Sequence, residues 1–332
     1  MALRVGLLGA GRIGKVHARA LTRIPAAELV AIADVVDAAA SDLATETGAQ
    51  VRSIDAIVDA SDIDAVLITT PTDVHADLIE RSARAGKAIF CEKPIDLDVE
   101  RVRACLQVVA DTGASLMVGF NRRFDPHFAA AQAQIVAGAI GAVEMVQITS
   151  RDPGPPPLTY IARSGGLLRD MTIHDFDMAR FLLGEEPVAV TAVASVLVDP
   201  AIGDAGDVDS AAVILTTATG KIAQIANSRR ATYGYDQRIE VHGSLGMVSA
   251  SNPPSTTVEL GGAAGFTRPP LMDFFMDRYA SAYVAELEQF VRSVTTGEPC
   301  DPSGGDGLAA LVLAEAAVRS LQRRATVNVL EI

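Results

Sequence analysis

The sequence predicts an α/β fold in two domains. Residues 1–120 read as a parallel sheet built from βαβ units, and residues 121–332 as an α+β domain dominated by antiparallel strands. Three observations carry this. As far as Gly119, compact apolar runs alternate with amphipathic helical stretches, which is the rhythm of strands covered on both faces. Beyond it, strand-like runs follow one another through short turns, which is the rhythm of an antiparallel sheet. The chain has 332 residues, 49% hydrophobic and 21% charged, enough for two substantial cores.

Leu3 to Leu8 is the first buried strand, and it runs directly into Gly9-Ala10-Gly11-Arg12-Ile13-Gly14, a G-x-G-x-x-G. An amphipathic helix follows to about Ile24, Pro25 ends it, and Leu29 to Ala33 is the next strand, ending at Asp34. Gly9 allows the tight turn, Gly11 lets backbone approach a pyrophosphate, and Gly14 lets helix and strand pack closely. The helix start at Arg12 and Ile13 offers free N–H groups and the positive end of the helix dipole to the phosphates. Asp34 stands 20 residues past Gly14, where a carboxylate accepts from both ribose hydroxyls. Val35 and Val36 follow, with no arginine for a 2′-phosphate, so NAD is favoured over NADP.

Ser41 to Thr47 reads as a helix stopped by Gly48. Ala65 to Thr69 is a buried strand leading into Thr70-Pro71 and a helix from His75 to Ala85, which Gly86 ends. Ala88 to Cys91 is another strand, with Glu92-Lys93-Pro94 at its carboxyl end. Ligands bind at that end of a parallel sheet, so Thr70, Pro71, His75, Glu92 and Lys93 are cofactor candidates. Lys93 precedes a proline and is held extended; beside a nicotinamide it can donate to a substrate hydroxyl and stabilise the developing alkoxide. Leu116 to Gly119 is the last strand before Phe120-Asn121-Arg122-Arg123-Phe124, where the first domain ends.

In the second half, His127 to Ala137 is a helix, Val143 to Ser150 a strand, and Arg151 to Pro157 a stiff, irregular loop. Ser164 to Gly184 then reads as two glycines leading into one helix, apolar almost all round. Along it runs a narrow stripe of Asp170, His174 and Asp177, at i, i+4 and i+7. On such a helix Asp170 can share a hydrogen bond with His174, and an imidazole oriented by a carboxylate is a general base near neutral pH. The same pair could ligate a metal, but no third ligand is evident, so no metal is expected. Strand-like runs follow at Val188–Leu197, Ser210–Thr217, Lys221–Arg229, Tyr235–His242, Met247–Ser249 and Thr257–Leu260. Tyr233 and Tyr235 alternate, which would turn both phenols to one side. Helices at Arg278–Thr295 and Gly307–Arg323 and a short strand at Thr326–Leu330 close the chain.

Lys plus Arg number 28 against 41 Asp plus Glu, a formal charge of -13, which argues against nucleic acid or an anionic membrane as partner. The three cysteines, Cys91, Cys105 and Cys300, have no paired or metal-type spacing, which points to a reducing cytoplasm. No apolar run reaches the length of a membrane span. The N-terminal run is too short for a signal peptide and is broken by the glycines, so it reads as mature structure.

With the G-x-G-x-x-G, Glu92-Lys93-Pro94 and Asp170-x-x-x-His174 in hand, the chain resembles the Gfo/Idh/MocA family over essentially its whole length. GFNRRFDPHF (Gly119–Phe128), SRDP (Ser150–Pro153), SGGLLRDMTIHDFDMARFL (Ser164–Leu182) and YGYDQRIEVHG (Tyr233–Gly243) carry the resemblance. It implies an N-terminal Rossmann dinucleotide-binding domain and a C-terminal α+β domain with a large open, mainly antiparallel sheet, assembled as a homotetramer through the sheets. It implies NAD-dependent oxidation of a cyclic polyol, with myo-inositol going to its 2-keto product. In that scheme Lys93 bonds the reacting hydroxyl, His174 takes its proton, and Asp170 orients His174. Arg122 is assigned to the cofactor. Arg123, Asp152, Asp177, Tyr235 and Tyr283 are assigned, with the catalytic trio, to polyol hydroxyls. Asn121 and Ser150 depart from some relatives on the substrate side, so another inositol isomer or an aldose stays open. So does a catalytically silent nucleotide-binding regulator.

Overall fold

Strand β1 (Leu3–Leu8) is buried at five of its six positions, as an apolar run covered on both faces must be. The computed structural model describes residues 2–332, which divide into two compact units. The first comprises residues 1–124 with 280–311, and the second residues 125–279 with 312–332.

In the first unit β1 leads through the glycine turn to α1 (Arg12–Leu21), β2 (Ala27–Ala33), α2 (Asp37–Thr47), β3 (Gln50–Val51) and α3 (Ile54–Val58). The second set of βα units is β4 (Ala65–Ile68), α4 (His75–Arg84), β5 (Ala88–Glu92), α5 (Val99–Thr112) and β6 (Leu116–Gly119). All pairings are parallel, in the order β3-β2-β1-β4-β5-β6. The order reverses between β1 and β4, so the crevice at their carboxyl ends lies beside the glycine turn. Helix α5, started by the Asp98 carboxylate accepting from Arg101 N–H at 2.8 Å, lies outside the elements expected from sequence.

In the second unit the order is α6 (Pro126–Val136), β7 (Val143–Arg151), α7 (Leu158–Ser164), α8 (Gly166–Asp170), α9 (Ile173–Leu183) and β8 (Pro187–Ser195). Then come α10 (Pro200–Asp204), β9 (Ser210–Thr217), β10 (Ile222–Ser228), β11 (Asp236–Gly243) and β12 (Gly246–Ala250). A two-stranded hairpin, β13 (Leu260–Gly262) with β14 (Gly265–Thr267), precedes α11 (Phe275–Arg278). Helices α12 (Ala280–Thr296) and α13 (Gly304–Arg323) and strand β15 (Val327–Asn328) complete the chain. The large sheet runs β12-β11-β7-β10-β9-β8-β15 and is antiparallel throughout except where β7 meets β10. Helix α9 packs on β7 and β10. Along β9 and β11 buried and exposed residues alternate, so one face of this sheet carries the core.

The expected second domain, residues 121–332, is not one body. Residues 280–311 return to the first unit because α12 carries an apolar stripe that packs there. Tyr283 meets the His17 ring edge-on at 5.5 Å, and Phe290 meets Phe90 at 5.9 Å. Val118 of β6 donates its N–H to the Pro302 carbonyl at 3.0 Å. The single helix expected after Gly165-Gly166 is likewise broken, into α8 and α9 at residues 171–172. Gly165 and Gly166 both take left-handed φ, 82° and 81°, between α7 and α8. At Thr172 the backbone N–H reaches back five residues to the Leu167 carbonyl at 3.0 Å, and the threonine hydroxyl donates to Asn227 Oδ1 at 2.8 Å. That pairing lies at the junction where α8 ends and α9 begins.

Candidate active site

In the first unit, the glycine turn has the shape a pyrophosphate needs. Gly9 sits at φ 105°, and a Cβ there would come within 2.7 Å of the Thr69 carbonyl. A Cβ on Gly14 would run into the Gly9 carbonyl and lie 3.0 Å from Thr69 Oγ1. Gly11 faces open space and caps α1 without any side-chain bond, so the first turn is uncovered. Asp34 stands at the end of β2, with Oδ2 accepting from Ala10 N–H at 2.6 Å and Oδ1 from Val36 N–H at 2.8 Å. The residues present therefore fit a dinucleotide: a bare helix start for the phosphates and a carboxylate beside it for the ribose.

His75 has both ring nitrogens on backbone carbonyls. It is 1% exposed, with Nδ1 2.8 Å from the Pro94 carbonyl and Nε2 2.7 Å from the Thr70 carbonyl. A neutral imidazole donates to one of these at a time, and burial holds its pKa below the ordinary histidine value. His75 ties the loop after β4 to the loop after β5. Between those loops stand Thr70, Pro71 and Glu92-Lys93-Pro94, with the Lys93-Pro94 peptide cis. Lys93 is half-buried, and its backbone N–H donates to Glu92 Oε2 at 3.2 Å.

The arginines at the end of β6 separate in role. Arg122 is buried, 5% exposed. Arg123, assigned to substrate by resemblance, has its guanidinium between Asp301 at 2.8 Å and Asp306 at 2.9 Å. Tyr283 lies in this unit too, its ring against His17. Cys91 is fully buried, and burial pushes its thiol well above the usual range, so it is no nucleophile.

In the second unit, Asp170 and His174 fall on two short helices. Asp170 is the last residue of α8 and accepts a hydrogen bond from the Tyr160 hydroxyl at 2.9 Å. Its other oxygen is 3.9 Å from Nη2 of Arg229, which is 1% exposed. The same guanidinium is 3.6 Å from Asp207 Oδ2. Asp207 in turn accepts from the Leu167 N–H at 3.0 Å, at the start of α8. The short helix is thus pinned at both ends through one buried cation. Sequence reasoning missed Tyr160, Asp207 and Arg229; a lone arginine at a strand end and a tyrosine after a proline run carry no motif.

His174 stands half-buried in the first turn of α9, and Asp177 is one turn on. Asp177 is 1% exposed and 3.7 Å from Arg180. Asp175, fully buried between them, accepts from Asn227 Nδ2 at 2.7 Å and anchors α9 to β10. Asp152 follows β7, with its N–H on the Ser228 carbonyl at 3.0 Å. Tyr235 and Tyr233 do not share a face, because both precede β11. Tyr235 is 5% exposed and packs edge-on against Phe274 and Tyr279 at 5.8 and 6.0 Å. Tyr233 is exposed and donates to Asp236 at 2.7 Å.

Residues 3–120 match the family model described as oxidoreductase family, NAD-binding Rossmann fold, and residues 128–249 match the GFO/IDH/MocA C-terminal domain. The chain belongs to the Gfo/Idh/MocA oxidoreductase family. It is 66% identical, over 99% of its length and all of the relative's, to inositol 2-dehydrogenase of Rhizobium meliloti. It superposes on the crystal structure of a myo-inositol dehydrogenase from Corynebacterium glutamicum with TM-score 0.95 and 44% identity, covering 99% of both chains. A scyllo-inositol dehydrogenase from Lactobacillus casei, solved with bound NAD(H) and scyllo-inositol, has TM-score 0.91 and 31% identity, covering 99% of this chain and all of that one. The Gfo/Idh/MocA first unit is therefore an NAD-binding Rossmann fold, and the expected α/β class with a mainly antiparallel second sheet holds.

Proposed function

We propose that this chain is an NAD-dependent inositol dehydrogenase that oxidises one ring hydroxyl of myo-inositol to the 2-keto product. The observation that carries the reading is the 66% identity, over 99% of the chain, to an inositol 2-dehydrogenase. NAD supplies the hydride acceptor when bound, and Asp34 and the bare start of α1 are the groups that would hold its ribose and pyrophosphate.

The chain's own residues manage the proton and the developing charge. His174 takes the hydroxyl proton on its imidazole as the carbinol carbon loses its hydride. Lys93 Nζ donates a hydrogen bond to the same oxygen and stabilises the alkoxide character that forms there. Asp170, itself held by Tyr160 and Arg229, orients the imidazole. Arg123, Asp152, Asp177, Tyr235 and Tyr283 are the remaining candidates for polyol hydroxyls.

The enzyme is placed in the cytoplasm as a homotetramer. Three free cysteines support the compartment, and no described helix is long and apolar enough to cross a membrane. The open face of the large sheet supports the assembly: Met145, Val193, Ile214 and Met247 are all exposed on it. Light scattering on the purified protein reads the mass, and a monomer would refute the assembly.

Steady-state kinetics with NAD across myo-inositol, scyllo-inositol and glucose tests the substrate. Highest kcat/KM on myo-inositol supports the reading. A higher value on scyllo-inositol or glucose reassigns the substrate within the family, and turnover of none removes it.

A further inference from the structure

Next to Lys93 the first unit buries three titratable side chains to which the reaction gives no task. His17 of α1 is fully buried, Glu92 at the end of β5 is 8% exposed, and Glu286 of α12 is fully buried. His17 Nε2 is 2.6 Å from Glu92 Oε1, and Glu92 Oε2 accepts from the Lys93 N–H at 3.2 Å. One oxygen or nitrogen from each of the three lies within 4.8 Å of the other two. Neither oxygen of Glu286 has a hydrogen-bond partner among the described residues.

Such a donor set invites a metal, but the distances speak for a proton. Two ligands bound to one ion at about 2.1 Å stand about 3 Å or more apart. The 2.6 Å between His17 and Glu92 is a hydrogen-bond length. Two carboxylates this close in a dry site cannot both be charged. Glu92 has two donors, from His17 and from the Lys93 backbone. Glu286 has none, so the extra proton resides on Glu286. Burial, and then the charge of Glu92, pushes its carboxyl well above the usual range.

We propose that Glu286 is a positioning residue for Lys93, acting through Glu92. As a neutral acid it faces the Glu92–His17 pair without adding a second negative charge. Glu92 stays fixed, and its free oxygen holds the backbone of the lysine. This rests on the reading that Lys93 serves the reaction. The titratable groups around Glu286 are His17 of α1, Glu92 of β5 and, against His17, Tyr283 of its own helix. Lys93 and His75 border Glu92.

The test uses the full chain with NAD and myo-inositol, in the wild type, Lys93→Ala, Glu286→Gln and Glu286→Ala. Glutamine copies the neutral acid, so Glu286→Gln should keep more than a third of kcat. Glu286→Ala should lose more than tenfold in kcat while KM for NAD stays within twofold. The melting temperature of Glu286→Gln relative to the wild type should rise steadily from pH 5 to pH 9. Unfolding lets the wild-type acid ionise over that range, whereas glutamine has nothing to ionise. This second readout stands even if Glu286→Ala fails to fold. A Gln variant as damaged as the Ala variant, a flat difference in melting temperature, or one equivalent of metal in the purified wild type overturns the proposal. Full turnover in Lys93→Ala overturns the function reading and this role with it, and that variant alone reports it.

Discussion

Tyr160 donates its phenolic hydrogen bond to Asp170 Oδ1, and Asp170 Oδ2 lies 3.9 Å from the buried guanidinium of Arg229. The two contacts come from different elements, one from α7 and one from the end of β10. They separate orientation from stability. Tyr160→Phe removes one hydrogen bond to a charged group at a partly exposed site. It should lower kcat by roughly tenfold and leave the melting temperature within a few degrees. Arg229→Ala removes the buried guanidinium that stands near both Asp170 and Asp207, and should cost about 3 kcal/mol or more of stability, read by denaturant unfolding. Equal effects on kcat and stability in both variants would refute the division.

Lys93 follows β5, and its proposed task on the substrate oxygen is separate from that of the phosphate-binding turn before α1. Lys93→Met should lower kcat by about a hundredfold or more, the scale for losing one donor to a developing oxyanion. Affinity for NAD, measured by calorimetry, should change by less than threefold. A large loss of NAD affinity with intact kcat would assign Lys93 to the cofactor instead.

Asp34 accepts from Ala10 N–H in the glycine turn, and its proposed second task is to hold the ribose. Asp34→Ser should raise KM for NAD by about tenfold and narrow the preference for NAD over NADP, because the charge that repels a 2′-phosphate is gone. An unchanged cofactor ratio would show that Asp34 does not face the ribose.

The pairing of Arg123 with Asp306 gives a pH prediction. Burial alone would raise the Asp306 carboxyl, but the charge of Arg123 and the hydrogen bonds from Ser303 outweigh it and hold it well below the usual range. A depressed folded value means that the unfolded chain takes up protons first. The contribution is therefore complete above about pH 5 and is lost as the pH falls through the ordinary carboxylate range and below it. Asp306→Asn should be less stable than the wild type at pH 7, and the gap should shrink toward pH 3. A gap that stays constant over that window would contradict the assignment.

Much of this was readable from the chain because some physical signals are local. The glycine turn, the strand before it and Asp34 all lie within one βαβ unit, and the structure places them together as their spacing requires. The break at Thr172 was not readable. It is made by a hydroxyl that pairs with Asn227, a residue 55 positions away. Arg229 and Asp207 were invisible for the same reason, since only the fold brings them to Asp170. Helix α12 did leave a trace. Glu286 interrupts a stripe of Ala282, Tyr283, Leu287 and Phe290, and an acid inside an apolar stripe marks a buried partner. The failed same-side expectation for Tyr233 and Tyr235 assumed a strand that starts only at Asp236.

The central claim is that this chain moves a hydride from one ring carbon of inositol to NAD while His174 takes the hydroxyl proton. Turnover of myo-inositol deuterated at the carbon that becomes the ketone, followed by mass spectrometry of the reduced cofactor, tests it most directly. The account predicts one deuterium per reduced cofactor in the wild type, and formation of that labelled cofactor slowed about a hundredfold or more in His174→Ala. Reduced cofactor without deuterium, or His174→Ala forming labelled cofactor at the wild-type rate, would contradict it.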